Sequence, residues 1–337
     1  MGAAYFAGLG VPQDEKLAAY WYEKAANAGD PAAQKQMGYF YNLGIGVKRD
    51  PAQAVRWYQR AVAGGLISAK VNLGVAFLLG ESVTKDTAMA QDLFRQAYKQ
   101  GNGLAACYLG EMYMQGIGVE RDEAAGERWY EAGAKLHDPR SEFLLANLLR
   151  HRQKNEGEMK KAIKLLRESA GAGLVAAKHQ LGIILVKKPE LAATVQEAPA
   201  LLRDASEAGE WRSSVALGVL SRDGMGVPVD PRMAYYHYRL AALQGGDEGH
   251  KIVANDLESL AEQLGPEQAA TVDAEAKAWF DNHPFARQFV NKDGAKWKEY
   301  ASYSVGKPVD SVNAGPLIPT DPSAAYIGEP RRRLSVN

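Results

Sequence analysis

Between residues 30 and 65 the apolar and small residues fall into two stripes. Ala33, Met37 and Tyr41 lie at i, i+4 and i+8, and Ala54, Trp57, Tyr58 and Ala61 at i, i+3, i+4 and i+7. Each is the spacing of one helix face. Asp30-Pro31 and Asp50-Pro51 stand just ahead of the stripes. An aspartate that accepts an orphan N–H, followed by proline at the first helical position, predicts a helix start. Leu43-Gly44-Ile45-Gly46-Val47 and Gly64-Gly65 close the two stripes, because glycine takes the positive φ that a helix C-terminus favours. The segment therefore predicts two short antiparallel helices.

The same pattern recurs every 36 residues. Gly2, Gly38, Gly74, Gly110, Gly182 and Gly218 share one register, and Ala146 fills the skipped place. An aromatic or large apolar pair follows each: Trp21-Tyr22, Trp57-Tyr58, Leu93-Phe94, Trp129-Tyr130, Leu165-Leu166, Leu201-Leu202 and His237-Tyr238. Small residues repeat at Ala18, Ala54, Ala90, Gly126, Ala162, Ala198 and Ala234. A turn glycine repeats at Gly29, Gly65, Gly101, Gly173, Gly209 and Gly245, with His137 the exception. The register gives seven units over residues 1 to about 253. A glycine inside the first helix costs about 1 kcal/mol relative to alanine, so its recurrence predicts a helix crossing too tight for a Cβ. The aromatic pair is expected to fill the groove between one unit and the next. No single unit buries its apolar face alone, so stability accumulates along a stack.

These motifs, A-x-x-x-L-G-x-x-Y, G-x-G-V-x-x-D and A-x-x-W-Y-x-x-A, resemble the Sel1-like repeat, a relative of the tetratricopeptide repeat. The fullest match is Ala33 to Tyr41, Gly44 to Val47 and Ala54 to Tyr58; Gly8 to Val11, Gly116 to Val119 and Gly224 to Val227 keep the G-x-G-V loop. The resemblance covers about three quarters of the chain. It implies an all-α, right-handed α-solenoid of antiparallel helix pairs that binds proteins or peptides. Family members named for β-lactam binding or hydrolysis are cysteine-rich, whereas this chain has one cysteine, Cys107.

Units five and six depart from the pattern. Arg152 and Lys154 replace loop glycines in unit five, and Lys188-Pro189 stand in the loop of unit six, which lacks the usual aspartate. Arg140, Arg150, Arg152 and Lys154, with His151, Lys160 and Lys161, make this stretch locally basic. It reads either as a solvated face or as a patch suited to an acidic partner. Residues 254–281 predict a capping pair: a helix from Ile252 to Leu264, then one from Gly265-Pro266-Glu267 to about Phe280, packing through Ala270, Ala274, Ala276, Ala278 and Trp279. The segment 282–337 is rich in proline and aromatics. It either stays flexible or folds back on the repeats. Met1 falls in mid-helix of its unit, so the expectation is a start inside a longer repeat protein. The compartment is then cytoplasmic as written, or periplasmic or exported if residues precede it.

Composition narrows the function. Forty basic residues balance forty acidic ones, for a net charge of zero, which argues against nucleic acid as a partner. No run reaches the roughly 18 apolar residues of a membrane span. No metal site, cofactor or small-molecule substrate is expected, and no catalytic residue. The six histidines form no H-x-x-x-H or H-E-x-x-H pattern. His237, in the tryptophan column, is expected to be a packed aromatic substitute, and Cys107 a buried structural thiol. Ser304-Val305-Gly306-Lys307 matches S-x-x-K without the motifs that accompany it in a hydrolase.

A stacked array offers a concave surface lined by the first helix of each unit. The variable positions two before and one after each glycine are the candidate partner contacts: Gln36, Tyr39, Asn72, Tyr108, Glu111, Asn147 and Gln180. Val75, Leu144 and Ile183 occupy the same columns and read equally as core between units. The leading expectation is a non-catalytic protein- or peptide-binding scaffold. The alternatives are a cell-wall-ligand binder or hydrolase, as some family names suggest, and a structural fragment of a larger repeat protein.

Overall fold

A computed structural model of the chain describes residues 1–80, 83–152 and 155–283. Of the positions singled out above, Lys154, Ser304 to Lys307 and the segment from 284 on lie outside the described residues. The described elements are helical. They form two compact units, Met1–Leu145 and a second from Ala146 onward.

The first unit holds α1 (Gly2–Ala7), α2 (Glu15–Asn27), α3 (Pro31–Leu43), α4 (Pro51–Ala63), α5 (Ile67–Leu79), α6 (Thr87–Lys99), α7 (Gly103–Gln115) and α8 (Glu123–Lys135). Helix α9 (Pro139–Arg152) leads into the second unit. The aspartates act as the sequence predicts. The Asp30 carboxylate accepts from the backbone N–H of Ala32 and Ala33 at 2.8 and 3.2 Å. Asp50 does the same for Ala52 and Gln53, both at 3.1 Å. Helix α3 ends on Gly44, whose φ of 74° no β-carbon favours.

The repeat glycine has a specific neighbour. A Cβ on Gly38 would stand 2.4 Å from the Tyr58 ring, and one on Gly110 2.5 Å from Tyr130. The second member of each pair therefore fills the crossing inside its own unit as well. The two members part company. Trp57 joins the cluster of Ala18, Ala33, Met37 and Phe40, whereas Tyr58 joins that of Val71, Leu73 and Val75 on α5.

The second unit holds α10 (Glu156–Gly171), α11 (Val175–Lys187), a 3-10 turn (Pro189–Leu191), α12 (Glu197–Glu207), α13 (Trp211–Asp223), α14 (Pro231–Leu264) and α15 (Pro266–Asn282). In the loop that lacks an aspartate, Arg167 substitutes. Its guanidinium donates to Leu191 O at 2.8 Å and pairs with Glu197 at 2.8 Å. Helix α14 breaks at Gly246, where φ is 56° and ψ −140°. The helix expected after Gly265 packs through a different face from the one its alanines suggest. Ala269, Val272 and Ala276 are buried, whereas Ala270, Ala274 and Ala278 are exposed. Val272 is fully buried in one cluster with Val253, Leu257 and Leu260, and the apolar area it removes from water holds this face inward.

Candidate functional site

The seven candidate partner contacts separate into three groups. Tyr108 and Glu111 are enclosed, at 0% and 2% exposure. Tyr108 stacks on Phe94 with ring centroids 5.0 Å apart. Glu111 accepts from the Tyr130 hydroxyl at 2.8 Å and from the Gln115 amide. Asn72 is buried as well. Helix α7 buries every residue from Ala105 to Met112, so its first-helix columns have no outward face. Sequence periodicity finds one apolar stripe; it does not register that a helix flanked on several sides has little free surface. Tyr108 and Glu111 are thus interior residues in this structure. Val75 and Leu144 are buried too, as core.

Gln36 and Tyr39 on α3 remain half-buried, with Tyr39 packed 6.3 Å from the Phe40 ring. Asn147 on α9 and Gln180 on α11 are the third group, and they meet. With its amide turned to satisfy both ends, Gln180 donates to Asn147 Oδ1 at 2.9 Å and accepts from Arg150 Nε at 3.3 Å. The structure thus joins two expected partner contacts to one residue of the expected basic patch. The linear pattern did not bring Arg150 and Gln180 together, because they lie on different helices, α9 and α11.

The basic patch itself is uneven. Arg152 pairs with Glu158 at 2.8 Å, and Lys160 with Glu156 at 2.7 Å. Arg140 lies in the first turn of α9, beside the buried Asp138 whose carboxylate accepts from Ser141. Arg150 differs. No carboxylate lies within ion-pair distance of it among the described residues, and burial alone lowers its pKa. Its positive field and burial also lower the pKa of His151, burial first. The same repeat position in the last unit holds Arg222, which pairs with Asp223 at 2.7 Å and Asp256 at 2.6 Å. A half-buried guanidinium without a counter-charge is under-compensated, and it presents its donors to an incoming carboxylate.

Other chemistry-bearing side chains are interior. Burial, then the Asp138 carboxylate, pushes the Cys107 thiol well above its usual pKa, which keeps it protonated. His179 is buried and shares a 2.8 Å hydrogen bond with Ser213 Oγ; burial, then Arg212, lowers its pKa to about 4. Among the described residues no group of three or more His, Cys, Asp or Glu is placed to hold a metal ion, and no helix is long and apolar enough to cross a membrane.

The chain is one of the Sel1 repeat family: the Sel1 repeat model matches residues 1–30, 31–66, 67–102, 103–138 and 212–246, just over half of its length. Residues 139–211, which include Asn147, Arg150 and Gln180, fall between the matched segments. A Sel1 repeat protein from Oxalobacter formigenes is similar at 25% identity and a TM-score of 0.57, with 72% of this chain and 97% of that chain covered. A protective antigen present in uropathogenic Escherichia coli strains, displaying an SLR fold, is similar at 24% identity and a TM-score of 0.45, covering 93% of this chain and 72% of that one. No curated protein matches. The fold class is an all-α repeat solenoid, and Sel1 repeats generally mediate protein interactions.

Proposed function

We propose that this Sel1-repeat chain is a non-catalytic scaffold that binds a protein or peptide, and that an acidic segment of that partner is received at Asn147, Arg150 and Gln180. The observation that carries the reading is the counter-charge missing from Arg150, at a repeat position where Arg222 has two aspartates. The Asn147 and Gln180 amides orient the guanidinium and supply further polar contacts. Gln36 and Tyr39 on α3 are a second, separate set of partly exposed contacts under this reading.

The test is direct. A fluorescent peptide of alternating glutamate and glycine is titrated with the full chain and with Arg150→Ala and Gln180→Ala. The expected result is at least a tenfold loss of affinity in Arg150→Ala, the equivalent of about 1.4 kcal/mol, and a binding constant that weakens with salt. Equal affinity in wild type and Arg150→Ala sinks the site. Affinity capture from cell fractions, with the same pair of proteins, then identifies the natural partner.

A further inference from the structure

The repeat register allows one unit to be compared with another at each position. In the second unit of the register, Trp57 packs with Met37 and Phe40, with Tyr41 and Val47 at the edge of the same cluster. Five repeats further on, 180 residues along, these positions hold His237, Leu217, Leu220, Ser221 and Val227. Three large rings, Phe40, Tyr41 and Trp57, are thus replaced together by a leucine, a serine and an imidazole. A cavity of about 200 Å³ lies at this place, lined among others by Arg203, Leu217, Leu220, Ser221, Asp230 and His237. A dry, apolar cavity of about 150 Å³ is enough to bind benzene, so this one has room for a substituted ring.

Its lining is not merely apolar. His237 lines the cavity, and its Nδ1 is covered and without a hydrogen-bond partner, so a ligand reaches that nitrogen when the imidazole turns toward the cavity. Burial, then the Arg203 charge, lowers the His237 pKa to about 4, so the imidazole is neutral near pH 7. Arg203, exposed, takes the place of Glu23 in the register. It makes no ion pair among the described residues. Guanidinium over an aromatic ring is a contact the chain also makes elsewhere, as with Arg60 over Trp57 and Arg212 over Trp211, each at 4.6 Å.

We infer that the cavity is an anchoring pocket for one aromatic side chain of a partner peptide, a tyrosine or tryptophan whose O–H or N–H meets His237 Nδ1 while Arg203 covers the ring. The missing rings define the shape, the orphan nitrogen selects a ring with a donor, and the unpaired guanidinium supplies a cation–π contact. The inference rests on the reading of the chain as a peptide binder and adds the chemistry of a second contact.

The probes are p-cresol and 3-methylindole, with toluene as the ring that has no donor. They are titrated into the full chain, and the imidazole resonances of His237 are followed by NMR. Saturable binding that shifts these resonances, with toluene several-fold weaker, is expected. His237→Trp restores the ring that the register carries elsewhere. It is expected to weaken both probes at least tenfold while the melting temperature stays at or above that of wild type. Ser221→Tyr fills the same space from another wall and serves if His237→Trp misfolds. No saturable binding, or equal binding in both filled variants, overturns the pocket. Toluene binding as well as p-cresol overturns the role of His237. Because the probes need no partner, failure here leaves the acidic-peptide reading standing. Failure of the acidic peptide with successful probe binding removes that reading and leaves the pocket.

Discussion

Single residues in this chain are constrained chiefly by what their repeat position touches. Gly38 faces the Tyr58 ring, which is 0% exposed and has no room to retreat. Gly38→Ala gains about 1 kcal/mol of helix propensity, against about 1–3 kcal/mol for overpacking. A lower urea midpoint is the expected outcome, and an unchanged one would show that the ring yields. His137 is the reverse case. It holds φ 56° where the other turns hold glycine, and a left-handed residue with a β-carbon costs about 1–2 kcal/mol. The Glu142 carboxylate is 3.8 Å from its ring, and the imidazole is exposed. His137→Gly is expected to raise the urea midpoint; a lower midpoint would show that the loss of chain stiffness in the unfolded state wins. Asn42 is fully buried and neither end of its amide has a partner, whereas the same repeat position holds Leu78. Asn42→Leu is expected to stabilise by about 1–3 kcal/mol, the cost of leaving buried polar atoms unpaired, measured by the same titration.

At the scale of elements, caps and turns decide where helices begin and end. Asp50 satisfies two orphan N–H groups of α4, and Asp50→Ala is expected to cost about 1 kcal/mol. Where aspartate is absent, the chain substitutes. Arg167 reaches from α10 to the carbonyl of Leu191 and the carboxylate of Glu197, and so fastens a loop that the repeat motif leaves without its usual residues. Hydrogen exchange should show faster exchange of the amides from 189 to 197 in Arg167→Ala, with other helices unchanged. Exchange spread over the whole chain would mean that the contact supports global stability instead. Helix α14 shows the other limit. The pattern predicts a change after Ala254, but the break comes earlier, at Gly246, and helical backbone resumes directly after it; the neighbouring Gly245 packs close to Trp211, where a Cβ would stand 2.9 Å from the ring.

At the scale of the whole molecule, acid stability follows from buried neutral histidine. The folded pKa of His179 is about 4, below its ordinary 6.5. The unfolded chain therefore binds the proton more readily in that window. The stabilising effect of burying a neutral imidazole is present above pH 6.5 and is lost as pH falls from 6.5 towards 4, by up to about 3 kcal/mol. His179→Gln, which keeps a polar group near Ser213 but does not titrate, is expected to show a shallower loss of melting temperature between pH 7 and 4. Parallel curves would assign the acid sensitivity to other groups. The function proposed at this scale is the binding of a partner, and its test belongs to Arg150 and to the cavity beside His237.

The repeat period, the helix pairs, the capping aspartates and the tight glycine crossings were legible from residue spacing alone. Each depends on contacts within a few turns of helix or between a residue and its own repeat partner, so the linear pattern carries them. What the pattern did not carry was which faces stay free. Tyr108 and Glu111 occupy variable columns, yet α7 is enclosed on every side. Ala270, Ala274 and Ala278 share a face, yet α15 buries Ala269, Val272 and Ala276 instead. Arg150 meets Gln180 across 30 residues, and three separate substitutions converge on one cavity beside His237. Burial, the absence of a counter-charge and empty volume are properties of three-dimensional neighbours. Only the tertiary structure decides them, because a side chain's surroundings come from helices that the sequence places far away.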